Sequence, residues 1–370
     1  MPLLRSRAYF LYTFIRHTPR TELIIGPIAD LAAHDGAAVS VAPGVWRITT
    51  PLPFRPAEVH AYLAALDDGR LVLVDGGLNT DPAWEALDAG VRAVAGGWPA
   101  VALHVVTHMH MDHVGLAGRV RDACGAPVLM GQLDAQRMAH AAAEPEDEAE
   151  YRAALLRRCG APDAVVRAVE EARRSAEPLA PAVHVDVALA GDGGELPGAP
   201  GWRWLWTPGH TAGHVSLHRP GDGVVIGGDV VLPRITPTLG VNRQREDPVA
   251  DYVNALDRLE ALPPSLVLPG HGAPQEGVKR IRELRDAADG ETGTVAGLLG
   301  TEPRTCWQVV ELRYPGREMS ASTRMLALRE TLAHLDRLAA AGRVAVAEDA
   351  PGPARFAAAD GPTSTDWRGG

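Results

Sequence analysis

The segment THMHMDHVG places three histidines and one aspartate within six residues, at His108, His110, Asp112 and His113. The whole chain of 370 residues has only 14 histidines, so this local density is unusual. Imidazole and carboxylate groups are ligands that zinc and other divalent first-row metals accept. In extended chain the spacing of two puts His108 and His110 on one side, and His113 is out of phase with them. Four such side chains in two orientations favour two metal ions over one.

More side chains of the same kind follow other apolar segments. TPGHTAGH carries His210 and His214 behind a tryptophan-rich run, IGGDVV carries Asp229, and LPGHG carries His271. Glycines beside them allow close approach of the backbone, and the ends of strands are common positions for functional side chains. The run DHVGLAGRV predicts the start of a helix with Asp112 near its N-cap, which would hold that carboxylate rigidly.

The elements that must position these residues are short buried strands alternating with helices. Apolar runs punctuated by glycine predict strands within residues 70–77, 101–108, 126–131, 201–210, 223–231 and 265–272. DPVADYVNALDRLEAL predicts a helix with Asp247 as its N-cap and an apolar stripe at helical spacing. Strands and helices mixed in this way predict a layered α/β fold.

The combined motifs HxHxDH, TPGHTxGH, GGD and PGHG, with Asp75 in LVDGG, resemble those of the metallo-β-lactamase superfamily, in that family's order over roughly residues 40–280. The resemblance implies an αββα sandwich with two divalent metal ions at one edge, between the two sheets. It implies a first metal site formed by His108, His110 and His210, a second formed by Asp112, His113 and His271, and Asp229 as the bridging carboxylate. Asp75 would lie beneath the site, and His214 would be a supporting or packing residue rather than a ligand.

The chemistry expected of such a site is hydrolysis by a hydroxide shared between two cations, since metal binding lowers the pKa of water to about 7. Asp112 is the expected catalytic residue, because its carboxylate would orient that hydroxide. Zinc is the first expectation for the metal, and iron or manganese suits the same ligands. The complete ligand set disfavours the mononuclear iron dioxygenase branch, and His110 disfavours the flavodiiron branch, which typically has a glutamate there.

We expect three parts: an N-terminal extension at 1–38, a catalytic domain at 39–280 with a helical insert at about 131–180, and a C-terminal α+β domain at 281–370. EPRTCWQVVELRY and SASTRMLALRETLAHLDRLAAAG predict two helices, and RVAVAED with ARFAAA predicts a β-hairpin. This order resembles a winged-helix module found in one branch of the superfamily, similar to a mammalian mitochondrial endoribonuclease and to fungal polyketide thioesterases. A histidine frequent in that branch after the last metal motif is absent, and Ala287 and Ala288 stand in that region.

The insert is predicted either as solvated helices or as a lid forming one wall of the pocket. Its acidic run 144–150 is expected to be solvated surface. Three arginines after Asp229, at positions 234, 243 and 245, are either surface residues or contacts for an anionic group.

Charge and composition narrow the class of function. The net charge of −10 disfavours nucleic acid as a partner. Three widely spaced cysteines suggest reduced thiols in a cytoplasmic protein, and no apolar run reaches the roughly 18 residues that a membrane span needs. The aromatic segment at 8–15 suggests an amphipathic stretch that packs on the body or on a second subunit rather than a signal peptide, so a homodimer stays open.

The expected substrate is a small acyl compound, namely a thioester, an ester or a lactone, with glyoxalase II chemistry as a minor special case. Endoribonuclease activity is the alternative, favoured by the winged-helix resemblance and opposed by the charge. A β-lactamase proper is disfavoured by the cytoplasmic interpretation, and a non-catalytic binding module by the intact ligand set. Tyr252 and His60 are conceivable donors of a proton to the leaving group, although packing roles are expected for both.

Overall fold

The structure, a computed structural model, describes residues 36–262, 264–348 and 352–359. The predicted aromatic segment at 8–15 therefore lies outside the described residues. The strands are β1 (Val39–Ala42), β2 (Val45–Pro51), β3 (Glu58–Ala65), β4 (Leu71–Val74), β5 (Val101–Val106), β6 (Val128–Gly131), β7 (Val187–Leu189), β8 (Gly193–Glu195), β9 (Arg203–Trp206), β10 (Val215–Arg219), β11 (Val224–Gly228), β12 (Leu266–Pro269), β13 (Gln275–Glu276), β14 (Arg304–Thr305), β15 (Val344–Glu348) and β16 (Ala354–Ala358).

The helices lie between groups of these strands along the chain. They are α1 (Asp81–Ala95), α2 (Met111–Val114), α3 (Ala117–Cys124), α4 (Gln132–Ala143), α5 (Pro145–Arg158), α6 (Asp163–Ala176), α7 (Pro248–Ala261), α8 (Lys279–Gly297), α9 (Cys306–Arg313) and α10 (Ala321–Ala340). Short 3₁₀ turns cover Trp98–Ala100 and Glu177–Leu179. Asp247 caps α7 as expected, because its carboxylate accepts a hydrogen bond from the Ala250 amide.

Two sheets form the catalytic part. The first has the order β1-β2-β3-β4-β5-β6-β7, antiparallel from β1 to β4 and parallel from β4 to β7. The second has the order β13-β12-β11-β10-β9-β8, in which β11 and β12 are parallel and the other pairs are antiparallel. Parallel pairing brings the carboxyl ends of β4 and β5 to one edge, and those of β11 and β12 likewise.

Alternation along single strands explains the layering. In β4, Val72 and Val74 face the second sheet, in a core that includes Trp204. Leu71 and Leu73 face the opposite way, toward α1 and α3, in a separate core. A strand buried on both faces is apolar at every position, which is the pattern of this segment. Helices therefore cover the first sheet on its outer side, and the expected αββα sandwich is confirmed.

The outer face of the second sheet packs against three parts of the chain at once. Val225 of β11, Leu256 of α7, Leu156 of α5 and Leu328 of α10 belong to one hydrophobic core. Burying each such side chain contributes about 1.5–3 kcal/mol to folding. The helical insert and the C-terminal part are consequently held on the sandwich by a shared core rather than by a linker alone.

The C-terminal part follows the predicted order of two helices and a hairpin. β15 and β16 pair as antiparallel strands, and β14 adds a third strand beside β16 that the sequence patterns did not indicate. Thr305 and Gln308 form a reciprocal capping box at the start of α9. The winged-helix comparison remains a resemblance in helix and hairpin order. Among the described residues, no helix is both long enough and apolar enough to cross a bilayer.

The insert contains α4, α5 and α6, and its acidic run 144–150 is largely exposed, as expected, with Glu148 as the buried exception. Glu148, in the acidic run predicted to be solvated, has only 3% of its side chain exposed and pairs with Arg137 and Arg243. Arg245 pairs with Asp251, with its Nε 2.7 Å from a carboxylate oxygen. Two of the three arginines considered as anion contacts are thus engaged with carboxylates of the chain itself.

Candidate metal centre

The predicted site residues meet at one edge of the sandwich. Asp75 directly follows β4, and His108 lies two residues beyond the end of β5. His210 lies in the loop after β9, while Asp229 and His271 follow β11 and β12. Because these strand ends share an edge, residues far apart in the sequence converge within a few ångströms.

Three histidines form the first cluster. The Nε2 atom of His108 lies 3.1 Å from Nδ1 of His110. The ring of His210 is centred 4.5 Å from that of His110 and 5.0 Å from that of His108. One ring nitrogen from each of the three lies within 4.8 Å of the others, which is compact enough to hold a single metal ion.

A second cluster combines a carboxylate with two histidines. Oδ2 of Asp112 lies 3.3 Å from Nε2 of His271 and 3.9 Å from Nε2 of His113. These three side chains also offer ligand atoms within 4.8 Å of one another. His113 is out of phase with His108 and His110, as the sequence spacing indicated, and it contributes to the second cluster.

Asp229 lies between the two clusters. Its Oδ2 is 3.6 Å from Nε2 of His210 and 3.5 Å from Nε2 of His271. Its Oδ1 is 3.5 Å from Nε2 of His113. One carboxylate thus faces ligand atoms of both clusters, which is the geometry required of a bridging ligand.

Several of these atoms are buried without a hydrogen-bond partner. Within the described part of the chain, this holds for Nε2 of His113, Nε2 of His210 and Oδ1 of Asp229. Buried polar atoms left without partners are costly unless something satisfies them. The donor set of imidazole nitrogens and carboxylate oxygens therefore fits divalent metal ions.

Hydrogen bonds on the far side of three rings fix their orientation. Nδ1 of His113 lies 2.8 Å from Oδ2 of Asp75, and Nδ1 of His271 lies 2.7 Å from the Glu58 carbonyl oxygen. Nδ1 of His210 lies 3.1 Å from the Thr238 carbonyl oxygen. Carboxylate and carbonyl oxygens only accept hydrogen bonds, so each Nδ1 carries a proton, and Nε2 is the nitrogen of each ring that faces the cluster.

His214 has a different role, in agreement with the interpretation from the sequence. Its Nε2 accepts a hydrogen bond from the Asp229 backbone amide at 3.1 Å. Its Nδ1 therefore carries the proton and donates to Oγ1 of Thr207 at 2.8 Å. The sequence did not identify Thr207 as a partner of His214. Its only signal was its position directly before the PGH segment that carries His210. His214 thus holds the backbone of Asp229 in place by accepting a hydrogen bond from its amide.

The helix that carries Asp112 begins slightly earlier than the sequence suggested. α2 starts at Met111, with His110 as its N-cap residue. Asp112 lies in the first turn, where the partial positive charge of a helix terminus favours a carboxylate. The helix also ends at Val114, and α3 starts separately at Ala117.

The charges of the cluster act on one another. Burial by itself lowers the pKa of His113, but the carboxylates of Asp229, Asp75 and Asp112 raise it well above its usual value. Burial would raise the pKa of Asp112, but the charge of His113 and the hydrogen bond from His271 lower it to about 2. The Asp112 carboxylate is thus held ionised, which is the form in which a carboxylate binds a metal ion.

The two conceivable proton donors are engaged elsewhere. The Tyr252 hydroxyl is buried and donates to the Val230 carbonyl oxygen at 2.9 Å. The ring nitrogens of His60 lie 3.1 Å from Oγ1 of Thr49 and 3.0 Å from the Gly272 carbonyl oxygen. Burial, together with the charge of Arg47, lowers the pKa of His60 to about 3. Both residues have the packing roles that were expected.

Comparison with known protein families gives two matches. Residues 55–271 match the family model described as metallo-beta-lactamase superfamily. Residues 293–359 match the model described as metallo-beta-lactamase-like, C-terminal domain. The first match spans the strand ends that carry the proposed ligands, and the second begins within α8 and ends after β16.

Individual proteins show the same relationship. The probable metallo-hydrolase YqjP of Bacillus subtilis is 30% identical over 299 residues, which is 79% of this chain and 91% of that protein. A hydroxyacylglutathione hydrolase of Fuscovulum blasticum is 28% identical over 204 residues, which is 55% of this chain and 58% of that protein. The crystal structure of the metallo-beta-lactamase family protein TTHA1429 from Thermus thermophilus matches with a TM-score of 0.75 and 29% identity, over 86% of this chain and all of that one.

Proposed function

This chain belongs to the metallo-beta-lactamase superfamily, and we propose that it hydrolyses a small acyl compound at a pair of divalent metal ions, with thioesters as its first substrate class. Esters and lactones are the related classes. The observation that carries the proposal is the Asp229 carboxylate, which faces ligand atoms of two histidine clusters at 3.5–3.6 Å.

We assign the first ion to His108, His110 and His210 and the second to Asp112, His113 and His271, with Asp229 shared between them. The fit rests on the donor types and on the buried ring nitrogens that lack a partner among the described residues. Zinc suits a site of imidazoles and carboxylates, and iron or manganese uses the same ligands. The chemistry that bound divalent ions supply is activation of water at neutral pH and polarisation of a carbonyl.

Asp112 is the residue proposed to act on the attacking water. Its Oδ2 lies 3.3 Å from Nε2 of His271, and its side chain is 14% exposed, so the residue is not sealed from solvent. A carboxylate held ionised at neutral pH accepts a hydrogen bond from water and thereby orients the water for attack. No nucleophile from the protein is needed in this scheme.

The surroundings of the site suit an acyl substrate. Met109 and Met111, the residues between the ligands, are half-buried and pack in two apolar clusters. Met138 and Leu179, from the two ends of the insert, belong to the same clusters. The insert thus borders the metal edge, which supports the lid interpretation, and it offers apolar contacts to an acyl chain.

Similarity to a hydroxyacylglutathione hydrolase supports thioesters in particular, because a hydroxyacylglutathione is a thioester. The net charge of −10 opposes a polyanionic substrate such as RNA. Thioesters therefore come before the endoribonuclease alternative.

The test is a panel of acyl thioesters assayed by release of free thiol. His110→Ala, which removes a proposed ligand, should abolish release while the protein stays folded by circular dichroism. His184→Ala is the matched control, because His184 is 80% exposed and lies outside both clusters. Release by the wild type and by the His184 variant, but not by the His110 variant, would support the proposal. Equal release by all three proteins would refute the assignment of the site.

A further inference from the structure

A buried carboxylate outside the proposed ligand set joins the two loops that carry the first cluster. Asp134 is the third residue of α4, directly after β6, and its side chain is fully buried. Burial raises the pKa of this carboxyl group to about 6, although three hydrogen bonds act in the opposite direction. Within the described residues no basic side chain forms an ion pair with it. A buried carboxylate without a cation is costly, so its hydrogen-bond partners account for its presence.

Those partners are all in the metal-binding loops. Oδ2 of Asp134 accepts hydrogen bonds from the Met109 amide at 2.9 Å and from the Thr211 hydroxyl at 2.7 Å. Oδ1 accepts a hydrogen bond from the Gly213 amide at 2.7 Å. Met109 lies between His108 and His110, and Thr211 directly follows His210. One side chain thus fixes the loop after β5 against the loop before β10.

The backbone packs closely around Asp134. A Cβ atom on Gly213 would lie 2.2 Å from the Asp134 nitrogen and 2.8 Å from its Cβ. A Cβ atom on Gly131 would lie 1.8 Å from the Gly213 carbonyl oxygen. Real Cβ atoms do not approach so closely, so glycine at both positions lets the loop before β10 rest directly on the start of α4.

The second cluster is fixed by other groups. Asp75 orients His113, and the Glu58 carbonyl oxygen orients His271. None of the three hydrogen bonds to Asp134 involves a residue next to His113 or His271. Loss of Asp134 should therefore act selectively on the first cluster.

We infer that Asp134 is a positioning residue that sets the separation of His110 from His210 and so determines the affinity of the first metal ion. The inference rests on the proposed function, because it assumes that both clusters bind metal. Asp134 does not touch substrate or metal, and it acts through the backbone of the two loops.

Asp134→Asn is the first test, since asparagine keeps the shape. An amide has one accepting oxygen, so its NH₂ group must face either the Met109 amide or the Gly213 amide, and that hydrogen bond is lost. Zinc affinity is measured by competition with a chromophoric chelator in two backgrounds. His271→Ala removes a ligand of the second site and so reports on the first site, whereas His110→Ala removes a ligand of the first site and so reports on the second. We expect Asp134→Asn to weaken zinc binding about 10–100-fold in the His271→Ala background. In the His110→Ala background, which leaves only the second site intact, the change should be less than about twofold, since Asp134 bonds no residue next to His113 or His271.

A second pair of variants, at Thr211, controls for a folding defect caused by the substitution of Asp134. Thr211→Val removes one donor to Asp134, whereas Thr211→Ser keeps the hydroxyl. The valine variant should weaken the first ion several-fold, and the serine variant should restore wild-type affinity, with all variants melting as folded proteins. Unchanged affinity in both Asp134→Asn and Thr211→Val, or equal loss in both backgrounds, would overturn the inference while leaving the proposed function intact. A wild-type protein that binds fewer than two zinc ions would overturn both.

Discussion

Replacing Asp75 with asparagine should weaken the proposed second metal site without unfolding the protein. Asp75 is the only non-glycine residue with a positive φ in the described part of the chain, at 58°. Asparagine tolerates this left-handed conformation, whereas alanine there would add about 1–2 kcal/mol of backbone strain. Asp75→Asn is therefore the substitution that changes the hydrogen bonding and little else.

The consequence follows from three contacts of one side chain. Oδ1 of Asp75 accepts from the Thr107 amide at 2.7 Å, while Oδ2 lies 2.9 Å from the Thr107 hydroxyl and 2.8 Å from Nδ1 of His113. In the variant the amide oxygen keeps the Thr107 amide, and the NH₂ group faces His113. That ring must then accept at Nδ1 and carry its proton on Nε2, which removes the lone pair needed for metal binding.

Supporting groups of this kind are each worth about 10–100-fold in metal affinity. That range corresponds to about 1.4–2.8 kcal/mol of binding free energy. Zinc titration of Asp75→Asn should show one tight ion and one weakened by this factor, and histidine ring NMR should show the changed tautomer of His113. Two ions bound with wild-type affinity, or a His113 ring still protonated at Nδ1, would refute the reasoning.

Other predictions concern metal removal, the shared core, an ion pair and a buried histidine. Chelation should abolish thiol release, and added zinc should restore it, as measured by the same assay; release that persists at verified metal-free stoichiometry would contradict this. Leu328→Ala should lower the free energy of unfolding by about 2–5 kcal/mol in urea titrations, because it leaves a cavity in the core shared with the second sheet. Glu148→Gln should lower the free energy of unfolding by about 3–5 kcal/mol in the same titrations, since it leaves the charge of Arg137 without its carboxylate partner. A decrease below about 1 kcal/mol would argue against a buried ion pair. Burial, with the charges of Arg313 and Arg337, lowers the pKa of His334 to about 3, so the unfolded chain takes up a proton below about pH 6.5 that the folded chain does not. Stability should therefore decrease as the pH is lowered, and between pH 6.5 and 5 the wild type should lose about 1.6 kcal/mol more than His334→Gln; an equal loss in both would show that His334 does not contribute.

The proposed ligands were predictable because they follow local rules. His108 and His110 are two apart at the end of an apolar strand, so extended geometry alone places them on one side. The unbroken apolar run Leu71–Val74 likewise indicates a strand buried on both faces, which requires layers above and below it. Motif order then predicted that Asp229 and His271 join the same edge, and the structure brings them there.

Interactions between distant segments were not predictable in this way. The acidic run 144–150 has the composition of solvated surface, yet Glu148 is buried, and Arg243 pairs with it from the segment between β11 and α7. Cys159 and Cys306 are far apart in the sequence, but the shared core places them side by side, and burial together with Cys159 raises the pKa of the Cys306 thiol well above its usual value. Such contacts depend on how the insert and the C-terminal helices dock, which no local pattern encodes.

The sequence by itself determined the residue types proposed to bind metal and the strands that end beside them, since both follow from side-chain chemistry and the period of two along a strand. Only the tertiary structure decided which groups hold those ligands in place. Asp134 belongs to no motif, and two of its three partners are backbone amides, which are the same in every residue except proline. Their position, and not their identity, makes them specific, and position is set by the packing of the whole sandwich.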